Sequence, residues 1–226
     1  MLPVSIHALH KSFSLGAGAP TQVVIDSIDL NISAGESVTF MGPSGSGKST
    51  LLNLIAGLES ATRGQILIGD KDITRMPRHE IEMLRLHSIA YVFQFFHLLP
   101  TLSAIENCAL IAIEQNRRSV PDVIKEARET LARLGLDHAA DKRPAQLSGG
   151  MQARVALARA LIARPKIILA DEPTGNLDSK SGETVLDLLF EEQRKQGFTL
   201  LLVTHDPIAA QRANRIVRLQ DGTILK

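Results

Sequence analysis

Gly42-Pro43-Ser44-Gly45-Ser46-Gly47-Lys48-Ser49 is the stretch on which the reading of this chain turns. It matches G-x-x-x-x-G-K-[ST], a glycine-rich loop between a strand and a helix whose backbone amides cradle phosphates. Its flanks agree with that context. Residues 37–41 before it are apolar and strand-sized, and Leu51, Leu52, Leu54 and Ile55 after it fall on one side of a helix expected from 48 to 57. Glycine lets the backbone turn tightly and aim its N–H groups inward. The helix N-terminus adds partial positive charge. The pattern assigns the phosphate cradle to Gly42, Pro43, Ser44, Gly45, Ser46 and Gly47. It gives Lys48 to the β- and γ-phosphates, Ser49 to Mg2+ and Thr50 to the α-phosphate side. The bland alternative is a strand-to-helix turn that binds nothing.

Further along, Lys166-Ile-Ile-Leu-Ala-Asp171-Glu172 is an apolar run ending in two acids. A parallel strand delivers its C-terminal residues to the sheet edge where ligands bind. Asp171 is the candidate Mg2+ carboxylate and Glu172 the candidate to polarise a water for attack on the γ-phosphate. Taken alone, the two acids read equally as a helix cap or a solvated pair. His205 follows the next apolar run, 199–204, and is placed to hydrogen-bond a γ-phosphate. Gln94 follows the apolar run 89–93. A neutral amide can ligate Mg2+ and withdraw without leaving an unpaired charge, although alone it reads as a structural or surface residue.

The bulk properties frame these motifs. Of 226 residues, 44% are hydrophobic and 22% charged, which describes one globular domain with an ample core. A formal net charge of +1 gives no reason to expect a nucleic-acid partner. One cysteine, Cys108, excludes an internal disulfide and reads as an inert core thiol. No apolar run reaches the roughly 18 residues of a membrane-spanning helix, and the N-terminus lacks a signal-peptide pattern. Any membrane attachment is therefore expected through a partner. Strands are expected at 4–8, 23–25, 28–32, 38–41 and 65–68, with Gly16, Gly18, Pro20 and Gly35 as turn residues. Residues 78–161 read as mainly helical, with a helix start at Ser119-Val-Pro-Asp122 and a stop at Gly135. The last hundred residues alternate strand (166–170), helix (181–196), strand (199–203), helix (207–213) and strand (216–219). That alternation means an α/β fold with a parallel sheet covered on both faces.

Leu147-Ser148-Gly149-Gly150-Met151-Gln152 resembles the signature motif of ABC ATPases, and it lies between the phosphate loop and Asp171 as that family orders it. Asp171-Glu172-Pro173-Thr174-Gly175-Asn176-Leu177-Asp178 resembles the family's second acidic motif running into its D-loop, and Thr204-His205-Asp206 its switch histidine. Gln94 falls where the family places a glutamine. The resemblance covers nearly the whole chain and points to subunits of the lipoprotein-releasing, macrolide-exporting and cell-division type. It implies a P-loop NTPase (RecA-like) parallel core sheet with an N-terminal antiparallel β subdomain and an inserted α-helical subdomain. It places the catalytic core at 1–93 and 164–226 and the helical part at about 94–163.

The resemblance also implies an ATPase using ATP and Mg2+, with Lys48, Glu172 and His205 catalytic and Ser49, Gln94 and Asp171 at the metal. Ser148, Gly149 and Gly150 are then lent to the nucleotide of a second copy in a homodimer. The other implied partner is a transmembrane permease on the cytoplasmic face of the (inner) membrane, contacted by the apolar segment 93–100. For Ser148 a plain N-cap, and for that segment core packing, are the bland readings. Three departures stand out: Met151 where the family usually has glutamine, Phe95 where many relatives are polar, and Phe13 where the adenine-stacking aromatic is usually tyrosine. Phe13 can also be read as a core residue. Repair and chromosome ATPases of the superfamily carry long insertions absent between Gly57 and Ser148, and translation-associated members carry two cassettes. A regulator of a membrane complex that signals by ATP occupancy fits the same motifs as a transporter subunit.

Overall fold

Val4, Ile6 and Leu9 are buried on the first strand, and the step from even to odd positions marks where its register changes. The structure, a computed structural model, describes residues 1–14, 16 and 21–225; Gly18 and Pro20 lie outside them. Along the chain run β1 (Val4–Ser14), β2 (Thr21–Ile32), β3 (Ser37–Met41), α1 (Lys48–Ile55), β4 (Arg63–Ile68), β5 (Lys71–Asp72), α2 (Arg78–Ser88) and β6 (Ile89–Val92). There follow α3 (Ala104–Glu114), α4 (Val120–Arg133), α5 (Gly149–Ile162), β7 (Ile167–Asp171), α6 (Ser179–Gln196), β8 (Thr199–Val203), α7 (Pro207–Ala210), β9 (Arg215–Gln220) and β10 (Thr223–Ile224). Contacts divide these into two units, Met1–Arg85 with Phe198–Lys226, and Leu86–Gly197.

In the first unit, four strands form an antiparallel sheet in the order β2-β1-β4-β5. The strand expected to stop at residue 8 instead continues to Ser14. Ala8 adopts φ 44, and its amide, lost to the ladder, donates to Asp29 Oδ1 at 2.8 Å. Likewise the strands expected at 23–25 and 28–32 are one strand, with Ser27 at φ 51 between the pairs Leu9↔Ile28 and Lys11↔Ile25. A bulge takes up one extra residue and shifts which side chains face the core, so the alternation breaks while the strand continues. The same unit holds a parallel set, with β3 paired to β8 on one side and β9 on the other, and β10 antiparallel to β9. Every residue of β8 is buried, as expected of a strand covered on both faces.

In the second unit, β6 pairs in parallel with β7, Ile89 opposite Ile167 and Val92 opposite Ala170. Residues 89–92 thus form a strand inside the stretch read as mainly helical. The helices are stopped and started by identifiable caps. Ser103 and Glu106 make a reciprocal capping box on α3, Ser119 caps α4 with Pro121 in its first turn, and Asp178 caps α6. Gly197 closes α6 in the left-handed conformation at φ 73, where glycine bears no Cβ penalty. Cys108 is fully buried and unpaired, and burial pushes its thiol up to about 12. It is the inert core thiol its neighbours in sequence suggested.

Candidate nucleotide site

The phosphate loop joins β3 to α1, and its backbone has the shape the glycines were expected to allow. Gly42, Gly45 and Gly47 take φ of +152, +79 and +99. A Cβ at Gly42 would stand 2.0 Å from the Leu219 carbonyl oxygen, and one at Gly47 2.7 Å from that of Val24. The loop therefore lies flush on β9 and β2 with no room for a side chain. Gly222, in the turn between β9 and β10, donates its amide to the Ser46 carbonyl at 3.3 Å and accepts from the Asp26 amide at 2.9 Å. Two distant strands thus hold the loop in place.

Lys48 Nζ donates to the carbonyls of Gly42 and Pro43 at 2.9 and 2.8 Å and approaches Ser46 Oγ at 3.4 Å. These acceptors are all neutral, and none of them offsets the charge of the buried ammonium. Ser103, Ser119, Ser148, Asp178 and Asp206 cap their helices with side chains, whereas Gly47 gives α1 none. The amides of Lys48, Ser49 and Thr50 in the first turn of α1 are suited to phosphate oxygens. The donor set fits a polyphosphate. His205, exposed after β8, lines a cavity of about 310 Å³ together with Met41, Gly42, Pro43 and Arg218. The first unit therefore brings the start of the phosphate loop and His205 to one cavity.

The second unit holds the acids and the signature. Asp171 ends β7, and the Tyr91 hydroxyl on β6 hydrogen-bonds to its carboxylate; burial, then that negative charge, drive the phenol well above its usual range. Glu172 turns the chain at φ 45, left-handed for a residue with a side chain, a conformation costing about 1–2 kcal/mol and concentrated at functional sites. Neither acid caps a helix: that role on α6 falls to Asp178, whose Oδ1 accepts from the Ser181 amide at 3.0 Å. Gln94 is half-buried against the loop that follows Glu172. Its carbonyl accepts from Asn176 Nδ2 at 3.1 Å, and a Cβ on Gly175 would lie 3.2 Å from its Nε2.

Ser148 does cap α5, its Oγ accepting from the Met151 amide at 3.3 Å, and it and Gly149 are exposed. The helix begins at Gly149. A Cβ on Gly150 would press on Ser181 at 3.0 Å, and one on Gly149 would approach Leu177 at 3.2 Å. Segment 93–100 divides. Phe96 is buried with Ala153, Ala156 and Val185, while Phe95 and Leu99 are 69% and 44% exposed. Phe13 is half-buried on β1 with Lys11 Nζ 4.4 Å from its ring centroid, so core packing is not its setting. Sequence reasoning missed Tyr91, Asn176, Arg159 and the supporting carbonyls of Val24 and Leu219. Only Tyr91 left a trace, a lone hydroxyl in an apolar strand.

Residues 25–175 match the profile of a family described as ABC transporter. The chain belongs to that family. This ABC cassette is 44% identical over 209 residues to the lipoprotein-releasing system ATP-binding protein LolD of Anaeromyxobacter dehalogenans, covering 92% of this chain and 87% of that one. It is 42% identical over 221 residues to the ABC transporter ATP-binding protein YbbA of Escherichia coli K12, covering 98% and 96%. It superposes with a TM-score of 0.91 and 40% identity on the dimeric post-hydrolysis structure of the ATP-binding cassette MJ0796 bound to ADP and Pi, covering 99% and 97%. The α/β fold with a P-loop, read from sequence, is that of the family. So is the activity: the cassette is the ATP-binding, ATP-hydrolysing subunit that drives a transporter. Among the described residues no helix is long and apolar enough to cross a membrane.

Proposed function

We propose that two copies of this cassette close head to tail over two ATP molecules with Mg2+, and that hydrolysis reopens them to move a transmembrane permease on the cytoplasmic face of the membrane. The observation that carries this reading is that the chain offers two helix N-termini suited to phosphate, at Lys48 and at Ser148. In this reading each nucleotide takes the first from one copy and the second from the other. The dimeric state of the MJ0796 cassette with ADP and Pi supports the same arrangement.

In this reading the cradle 42–47 and Lys48 hold the phosphates, and Phe13 stacks on the adenine. Ser49, Gln94 and Asp171 hold Mg2+, together with phosphate oxygens. Mg2+ held there would supply positive charge against the phosphoryl group being transferred. Glu172 orients water and takes its proton, and His205 hydrogen-bonds the γ-phosphate side. Ser148, Gly149 and Gly150 serve the second copy's nucleotide. Residues 1–93 and 164–226 act as the catalytic core and about 94–163 as the helical part that meets the permease, with Phe95 and Leu99 exposed for that contact. Glu172→Gln removes the base and leaves the phosphate cradle. It is expected to trap a dimer in ATP and Mg2+, read by light scattering behind size exclusion. A variant that stays monomeric at saturating ATP would overturn the closure.

A further inference from the structure

Two consecutive residues after Gln94 stand in the left-handed region, Phe96 at φ 60 and His97 at φ 45. Neither is glycine, so the turn is held against a local preference. A guanidinium clamps both of its carbonyls. Arg159 on α5 donates Nη2 to the Phe96 carbonyl at 2.6 Å and Nη1 to the His97 carbonyl at 2.7 Å. Successive residues in a helical hand turn their carbonyls to one side, and a planar fork of two N–H groups matches such a pair where an ammonium does not. Arg159 is partly buried, and desolvation lowers its pKa. Both acceptors are neutral carbonyls, a weak return for burying a cation unless the shape of the loop matters.

The same face of α5 supplies the rest of the seat. Ala153 and Ala156, about two turns and one turn before Arg159, receive the Phe96 ring. On its other side the Gln94 carbonyl is fixed by Asn176, and the turn is closed by the bond from the Phe96 amide to the Phe93 carbonyl at 3.0 Å. We infer that Arg159 is a positioning residue for Gln94: it clamps the following turn so that the glutamine amide is presented to the nucleotide in one fixed orientation. The inference rests on the role given to Gln94 above. It also gives α5 two ends with different tasks. Ser148 caps its start, and Arg159 sits about 15 Å further along by helical rise, so a pull at the signature end is passed to the glutamine loop by one rigid helix.

The test uses the full chain with ATP and Mg2+ and compares Arg159→Gln, Arg159→Lys, Gln94→Ala and the double variant Arg159→Gln with Gln94→Ala. Arg159→Gln is expected to lower kcat about tenfold while KM for ATP moves less than about twofold, since misplacement of a contacting group costs turnover rather than ground-state binding. Arg159→Lys, keeping the charge but not the fork, falls between. The double variant is expected to be no slower than Gln94→Ala, and amide exchange over residues 93–99 is expected to rise in Arg159→Gln. Losses that multiply in the double variant, or unchanged exchange over 93–99, overturn the inference and leave the role of Gln94 standing. Wild-type kcat in Gln94→Ala alone defeats that role, and the inference with it. If Arg159→Gln does not fold, Arg159→Lys carries the same cycle.

Discussion

At Gly42 an added methyl meets a carbonyl oxygen at 2.0 Å, and at Glu172 a full side chain is held at φ 45. The two positions show how differently the chain treats strain. One site removes every side-chain atom because another strand's backbone occupies the space. The other keeps its side chain and bears the conformational cost, at the position proposed to activate water. Thr39, in the middle of β3, is a third case. It is fully buried, and its Oγ1 has no hydrogen-bond partner among the described residues. A buried hydroxyl without a partner costs its full desolvation, and an apolar group of the same shape does not. Thr39→Val is expected to raise unfolding stability by about 1 kcal/mol, read from urea midpoints at unchanged slope. An equal or lower midpoint would mean the hydroxyl is satisfied.

The helices owe their ends to short polar side chains. Ser103 and Glu106 satisfy each other across the first turn of α3, with the Ser103 amide and hydroxyl both donating to Glu106 Oε2 at 2.7 Å. The backbone bond, then the hydroxyl bond, from Ser103 hold the Glu106 carboxyl below its usual range. A depressed carboxylate stabilises the fold above its unfolded pKa, near about 4.3, and loses that contribution as pH falls through the folded value. Glu106→Gln is therefore expected to melt below the wild type at neutral pH, with the gap closing in acid below both values. Calorimetry across that window checks it, and a gap that persists in strong acid would assign the effect to packing. This box is legible in the sequence as Ser103-x-x-Glu106, although the mainly helical reading of 78–161 singles out only the later start at Ser119.

For the whole molecule, the decisive feature of the proposed closure is that one chain contributes to two sites. Lys48→Ala disables a chain's own cradle, and Ser148→Arg disables what it lends. Either variant alone is expected to be inactive. Mixed one to one, about half the dimers pair the two variants, and each mixed dimer keeps one intact site of two, so ATP hydrolysis is expected to return to at most about a quarter of wild type. Activity that does not recover on mixing would place cradle and signature at the same chain's nucleotide.

Placements that depend on near neighbours were readable along the chain. The loop between β3 and α1, the acids at the end of β7, His205 after β8 and Ser148 at the start of α5 each stand where a few adjacent residues put them, because backbone conformation and strand direction are set locally. The parallel α/β core was readable for the same reason, from apolar runs the length of a strand between helical stretches. Other features depend on residues far apart. Ala8 and Ser27 continue strands that their local pattern appeared to end, since a bulge is stabilised by the partner strand and by Asp29. Phe96 and Phe95, adjacent and alike, part into core and surface because a left-handed turn sends them opposite ways. Arg159 reads as one more charge on a helix until its guanidinium meets two carbonyls sixty-odd positions upstream. A side chain's reach is fixed by its type, but what lies within that reach is set by packing.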